Sequence, residues 1–270
     1  MGSIFRRFHL SSPVERIERA LEAAQAVLDG FDLERIETAR KSGGDPVTEA
    51  DVAVDDALRS NLPEPDEGWL SEETADSPER LDKESVWIVD PLDGTREFVE
   101  GIPEWCVSIA YVVDGQPVAG GILSPPRNIS IVGAVGEGVT VNGEAFATPT
   151  PTQLPGALVL ASRSEVKRGE WDAFFKTEIA VRNMGSVALK LGLVAAGQAD
   201  ATWTLVPKNE WDVAGGAALV LAAGGVVSGL DGEPVRFNRE NTLMSGFVAT
   251  GSVAHDAVIK LIDDTPWSVE

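Results

Sequence analysis

The chain has 270 residues, 43% of them hydrophobic, enough for one large or two smaller cooperative units around a substantial core. Its 22 Lys plus Arg against 43 Asp plus Glu give a formal charge of −21, which opposes binding to nucleic-acid polymers or anionic membranes and requires cations or a local basic patch for any phosphorylated ligand. No run is long enough to cross a membrane, the sole cysteine (Cys106) excludes an intrachain disulfide, and no secretory segment is visible, so the expectation is a cytoplasmic protein without stable membrane insertion.

Phe5, Phe8 and Leu10, interleaved with Arg6 and Arg7, read as a short frayed or packed terminus. Val14, Ile17, Ala20, Leu21, Ala24 and Leu28 follow helical spacing and predict an amphipathic helix over 14–28. A glycine-containing loop at 41–45 leads to Thr48, an N-cap with Asp51 in capping-box position, and the helix runs through Val52, Asp55, Asp56 and Leu58 to about Asn61. Asp45, Thr48 and Asp51 crowd this entrance, where backbone donors orient carboxylates or bind anions; an acidic helix start also serves stability alone. Past Pro63 and Pro65, residues 68–71 are a candidate short strand before Glu72 and Glu73, and 74–85 read as polar loop.

The run 86–89 reads as a buried strand that stops at Asp90-Pro91-Leu92-Asp93-Gly94-Thr95, at the end where open α/β sheets place ligands. Pro91 fixes one φ and Gly94 permits a conformation closed to other residues, so the turn is stiff. Its two carboxylates offer hard oxygen ligands suited to magnesium; an Asx-type turn with two solvated aspartates uses the same residues. If 68–71 pairs with 86–89, Glu72 returns beside Asp90 and Asp93, and a third carboxylate lets two cations share ligands.

Residues 105–113 and 117–123 form a predicted hairpin around Asp114 and Gly115, followed by a strand at 129–134, the glycine-rich 136–138 and a return strand. The Pro-rich 148–155 marks the expected boundary between an N-terminal α+β part (1–150) and a C-terminal α/β part (151–270). Beyond it come a strand at 157–161 ending at Ser162, Arg163 and Ser164, a helix at 171–179, and 181–184 leading to Gly185 and Ser186. A buried helix at 187–196 stops at Gly197, and a strand spans 199–205. Lys208, Asn209 and Glu210 approach Trp211 and Asp212, before a nearly apolar helix at 213–223. Asp212 at that helix start serves either as a cap or as a group facing a ligand. Strands at 226–227 and 242–250 and a short helix at 254–262 complete the chain.

Leu70-Ser71-Glu72-Glu73, Asp90-Pro91-Leu92-Asp93-Gly94-Thr95 and Trp211-Asp212-Val213-Ala214-Gly215 resemble, in order and separation, the signatures of the inositol monophosphatase superfamily over roughly residues 12–265. Within it, Gly44-Asp45-Pro46-Val47-Thr48-Glu49-Ala50-Asp51 and Thr95-Arg96-Glu97-Phe98 look closer to the CysQ-type bisphosphate nucleotidase branch. The resemblance implies an α+β fold, a layered αβαβα sandwich, with a magnesium-dependent phosphomonoesterase site. It implies Glu72, Asp90 and Asp93 as metal ligands with the Leu92 carbonyl, and Asp212 joining Asp90 and Asp93 around a further cation. About two or three magnesium ions are implied, with lithium as a candidate inhibitor. Thr95 would orient the attacking water and pass its proton toward Asp45, with Glu72 sharing the charge network, while Gly94 and Thr95 amides hold phosphate oxygens.

The segment with Gly185, Ser186 and Lys190 looks like the substrate side of the family, and Lys190 is similar to the nucleotidase branch. Arg163, Lys190 and Lys208 are the basic groups available to a nonreacting phosphate, unless Lys190 lies in a helix-surface ion pair. The implied substrate is the small metabolite 3′-phosphoadenosine 5′-phosphate, cleaved at its 3′ position to leave AMP. Inositol monophosphate or a sugar phosphate is the alternative, and a noncatalytic metal-dependent binding protein is the third reading. Thr204 stands near the place of the family's polyol-binding glutamate, and Trp203 is no dependable sign of base stacking. His9 and His255 have no assigned part, and Cys106 packs in a strand. The family resemblance also implies a homodimer.

Overall fold

A computed structural model describes residues 11–31, 38–40, 46–147 and 150–267. Helix α1 (Pro13–Leu28) begins at Ser12, which forms a reciprocal capping box with Glu15, and it buries Ile17, Ala20, Leu21, Ala24 and Leu28 along one stripe. Strands β1 (Thr38–Arg40) and β2 (Pro46–Thr48) pair antiparallel and lead directly into α2 (Glu49–Asn61).

A seven-stranded sheet then forms from β3 (Gly68–Ser71), β4 (Ser85–Asp93), β5 (Cys106–Val113), β6 (Gln116–Ser124), β7 (Ile129–Ala134), β8 (Gly138–Val141) and β9 (Glu144–Phe146), in chain order across the sheet. Its pairs are antiparallel except β3 beside β4. The short helix α3 (Thr95–Val99) interrupts the path from β4 to β5. In the second half come β10 (Leu158–Ser162), α4 (Arg163–Arg168), β11 (Ala180–Met184), α5 (Val187–Ala195), β12 (Ala201–Thr204), β13 (Lys208–Asn209), α6 (Glu210–Ala222), β14 (Val226–Ser228), β15 (Leu243–Met244), β16 (Phe247–Thr250) and α7 (His255–Asp264). Five of these strands make a mixed sheet ordered β11-β10-β12-β16-β14.

The layers follow from which faces are apolar. On one side of the first sheet, Ile17, Leu21 and Leu58 of α1 and α2 pack with Trp87, Val89, Val107 and Ile109. On its other side, Ile88, Ala110 and Ile122 meet Leu189, Leu191, Val213 and Leu219 of α5 and α6, and the same cluster continues to Leu160, Phe247 and Ala249 of the second sheet. Helices wedged between two sheets have no face left for water, which is why 187–196 and 213–223 carry almost no polar residues. Val258 and Ile262 of α7 cover the far face of the second sheet with Trp171 and Trp203. The result is the expected αβαβα sandwich, in which the two sheets separate along the sequence but the central core draws on both halves.

Several expectations change. The helix expected over 171–179 is a single 3-10 turn at Phe174–Lys176, because Trp171 and Phe174 are fully buried against Trp203 rather than arrayed along a helical stripe. Beyond the strand end at Ser162, where no element is predicted before 171, the chain forms α4, closed by Gly169 in the left-handed region (φ 88°). The polar stretch 74–85 holds a 3-10 turn at Pro78–Asp82. The strand expected over 242–250 splits: β15 pairs with β13, and only β16 joins the sheet. Helix α6 starts at Glu210 with Asn209 as N-cap, so Asp212 is the third helical residue and closes the capping box onto the Asn209 amide.

Candidate active site

The parallel pairing of β3 with β4 runs in register from Gly68 opposite Val86 to Ser71 opposite Val89, and the Glu72 amide continues the ladder to the Val89 carbonyl at 3.4 Å. Glu72 and Asp90 therefore leave the same sheet end side by side, as the sequence suggested. Asp212 reaches them from the first turn of α6. One carboxylate oxygen from each of Glu72, Asp90 and Asp212 lies within 4.8 Å of the others.

Such a cluster is electrostatically unfavourable without a cation. Burial, then repulsion from Glu72, Asp93 and Asp212, pushes the Asp90 carboxyl well above the usual range. Burial and the charge of Asp93 push Asp212 up to about 7, even though Lys208 pulls the other way. Converging hard oxygens, with proton affinity raised at Asp90 and Asp212, fit magnesium: a divalent cation would replace those protons and relieve the repulsion.

Asp93 stands outside that tight group. The pairing of β4 with β5 slips between Asp90 and Asp93, and one Asp93 oxygen accepts from the Ser186 hydroxyl at 2.6 Å and the Ala188 amide at 2.5 Å, at the start of α5. Asp93 thus ties the aspartate turn to the start of α5. Leu92 sends its carbonyl to the Thr95 hydroxyl at 3.1 Å, and its amide donates to Asp90 at 3.0 Å. Gly94 has φ 99°, and an added Cβ would sit 2.9 Å from the Glu104 carbonyl oxygen, so both backbone conformation and space demand glycine.

Asp45, expected to take the proton from Thr95, lies outside the described residues. Among the described residues, the carboxylate on Thr95 belongs to Asp51, whose Oδ1 is 3.2 Å from the hydroxyl. Its other oxygen accepts from the Thr48 amide at 2.8 Å and the Thr48 hydroxyl at 2.6 Å. The capping-box position of Asp51 was legible in the sequence, but a capping carboxylate has two oxygens, and the second faces the site. Burial raises the Asp51 carboxyl against these hydrogen bonds.

In the segment expected to face substrate, Gly185 donates its amide to Glu104 at 2.8 Å, and Ser186 caps α5 with φ 54°. Lys190 is buried beneath it, with Nζ 2.9 Å from the Ser186 carbonyl, so it makes no helix-surface ion pair. Burial draws its ammonium down to about 8. Lys208 is half-buried on β13, and its charge acts on both Asp212 and Lys190. Arg163, by contrast, is paired with Glu104 and, at 3.6 Å, with Glu97. Thr204 is buried and donates to Glu165. Trp203 is also buried and stacks on Trp171 with centroids 4.8 Å apart, so its face is closed to a base. His255 bridges Ser228 and Thr250, His9 lies outside the described residues, and burial first of all raises the Cys106 thiol well above its usual range.

A layered α+β sandwich thus places convergent carboxylates at the end of β4. Residues 12–266 match the model of the Inositol monophosphatase family. An inositol-1-monophosphatase of Mesorhizobium japonicum is 32% identical over 257 residues, covering 91% of this chain and 94% of that one. The solved inositol monophosphatase of Anabaena superposes with a TM-score of 0.79 at 28% identity, covering 94% of this chain and 96% of that one. CysQ from Bacteroides thetaiotaomicron does so with a TM-score of 0.74 at 28% identity, covering 90% and 98%. The chain belongs to the inositol monophosphatase family and is a metal-dependent phosphatase. No described helix is long and apolar enough to cross a membrane.

Proposed function

We propose that the cleft hydrolyses the 3′-phosphate of 3′-phosphoadenosine 5′-phosphate with magnesium as cofactor, releasing AMP and phosphate. The carboxylate group Glu72, Asp90 and Asp212 is the observation that carries the reading. These residues, with Asp93 and the Leu92 carbonyl, are the proposed ligands for about two or three magnesium ions, which lithium would displace. When bound, magnesium supplies charge to neutralise phosphate oxygens and lowers the pKa of a water.

The chain's own residues provide the rest. Thr95 holds the attacking water through its hydroxyl and Asp51 receives the proton, while Gly94 and Thr95 amides at the start of α3 accommodate phosphate oxygens. Gly185 and Ser186 border the leaving group. Lys190, whose charge reaches Asp93, and Lys208, whose charge reaches Asp212, support a substrate with a second phosphate. Arg163 is already compensated by Glu97 and Glu104 and would exchange those partners to meet it.

Inositol 1-phosphate is the second reading, favoured by the name of the Mesorhizobium relative, and buried Thr204 near the place of the family's polyol-binding glutamate weighs against it. Phosphate release from the bisphosphate nucleotide, inositol 1-phosphate, fructose 1,6-bisphosphate and simple sugar phosphates, at matched subsaturating concentrations, separates them. Preference for inositol 1-phosphate rejects the nucleotide and leaves the metal chemistry standing. Metal-dependent binding without phosphate release from any of them would favour the noncatalytic reading. The family resemblance supports a homodimer, which a solution mass showing only monomer at working concentration would contradict.

A further inference from the structure

Asp55 is a buried carboxylate on α2 that no step above uses. It lies four residues after Asp51, one turn along the same helix face. One of its oxygens accepts from the Ser71 hydroxyl at 2.5 Å, and the other accepts from the Thr74 hydroxyl. Ser71 in turn accepts from the Glu73 amide at 3.2 Å. Its two hydroxyl partners therefore bracket Glu72 on both sides in the chain, at the point where β3 ends and regular pairing stops supporting the backbone.

A carboxylate ligand at a strand end has long-lived geometry only if the chain on both sides of it is held. The ladder bond from the Glu72 amide secures one edge. Asp55 secures the rest by binding residues on either side with charge-assisted hydrogen bonds, which are stronger than neutral ones. The same rigid helix carries Asp51 to Thr95, so a single element spaces the Glu72 segment against the aspartate turn.

We infer that Asp55 is a positioning residue for the metal site: through Ser71 and Thr74 it holds Glu72 at the distance from Asp90 and Asp212 that cation binding requires. This rests on the reading of that carboxylate group as a metal site.

Manganese(II) binding to the purified full chain, followed by electron paramagnetic resonance without substrate, tests it apart from turnover. Asp55→Ala and Thr74→Val should each weaken manganese binding by about tenfold, the usual scale for outer partners of metal ligands. Because both act through the same Glu72 segment, the double variant should bind no more weakly than Asp55→Ala alone. Lys260→Ala, at an exposed position on α7, should leave manganese affinity unchanged. If Asp55→Ala fails to fold, the isosteric Thr74→Val alone decides. Wild-type affinity in a folded Asp55→Ala, or in Thr74→Val when that variant must decide, overturns the inference while the metal site stands. Absence of manganese binding by the wild-type protein overturns both.

Discussion

Thr95 and Asp51 meet across 44 residues of sequence, with the hydroxyl oxygen 3.2 Å from Asp51 Oδ1. The same hydroxyl is 3.1 Å from the Leu92 carbonyl, and it has one proton to give. Donation to Asp51 leaves the oxygen lone pairs to accept from a water; donation to Leu92 leaves Asp51 open to accept instead. Either arrangement would link a water bound at Thr95 to a carboxylate that burial has made a better base.

Asp51→Asn should lower turnover about 10²- to 10⁴-fold, the range for loss of a positioned base. The amide retains an oxygen for the Thr48 N–H, so the N-cap survives and the protein stays folded. Steady-state kinetics alongside a thermal melt check this; near wild-type turnover would remove Asp51 from the chemistry.

Asp212→Asn should raise the melting temperature in chelator and abolish the rise that magnesium gives the wild type. Removing one charge relieves repulsion felt by Asp90, but deletes a proposed ligand. Melting curves with and without magnesium report both effects, and an unchanged magnesium response would exclude Asp212 as a ligand.

The metal-free protein should lose stability as pH rises from about 4 to about 7. The Asp212 carboxyl moves from an ordinary 3.8 to about 7 in the folded chain, and Asp90 moves in the same direction, so the folded state holds more protons through this window. A folded state richer in protons is destabilised as pH rises. Magnesium competes with those protons, so its affinity should climb over the same interval. Melts in chelator at pH 5 and pH 8 measure the slope, and Asp212→Asn should flatten it. An equal slope in that variant would contradict the assignment.

Gly94→Ala should destabilise the protein by about 1–3 kcal/mol, the scale of enforced backbone strain, and lower activity with it. Gly136 is the control: its φ of 87° is similarly left-handed, but an added Cβ meets nothing within 4 Å. Urea unfolding should therefore rank Gly94→Ala below Gly136→Ala, and the reverse order would show that contact with the Glu104 carbonyl is unimportant.

Much of the carboxylate cluster could be read from sequence because its members sit at element ends with strong local signals. The β-branched run before Asp90, the turn chemistry of Pro91 and Gly94, and the apolar helix after Asp212 each mark a boundary, and the strand at 68–71 brings in Glu72. What stayed hidden depends on partners distant in sequence. Asp51 looked sufficient as a cap until Thr95 was placed beside it, and nothing near Arg163 in the chain announces Glu104. The 171–179 segment has helix-compatible residues, yet stacking of Trp171 on Trp203 overrides local preference. Lys190 falls on a helix buried all round, so its spacing gave no sign that its ammonium ends on the Ser186 carbonyl.

On the proposed function, Glu72, Asp90 and Asp212 hold the cation on which phosphate ester hydrolysis depends. Inorganic phosphate release from 3′-phosphoadenosine 5′-phosphate and from inositol 1-phosphate, measured for wild type and Asp90→Asn at saturating magnesium and again after stringent chelation, tests it most directly. The expected result is turnover of at least one substrate by the wild type with magnesium, none after chelation, and almost none from a folded Asp90→Asn. Wild-type turnover that survives chelation, or an Asp90→Asn protein as active as the wild type, would contradict it.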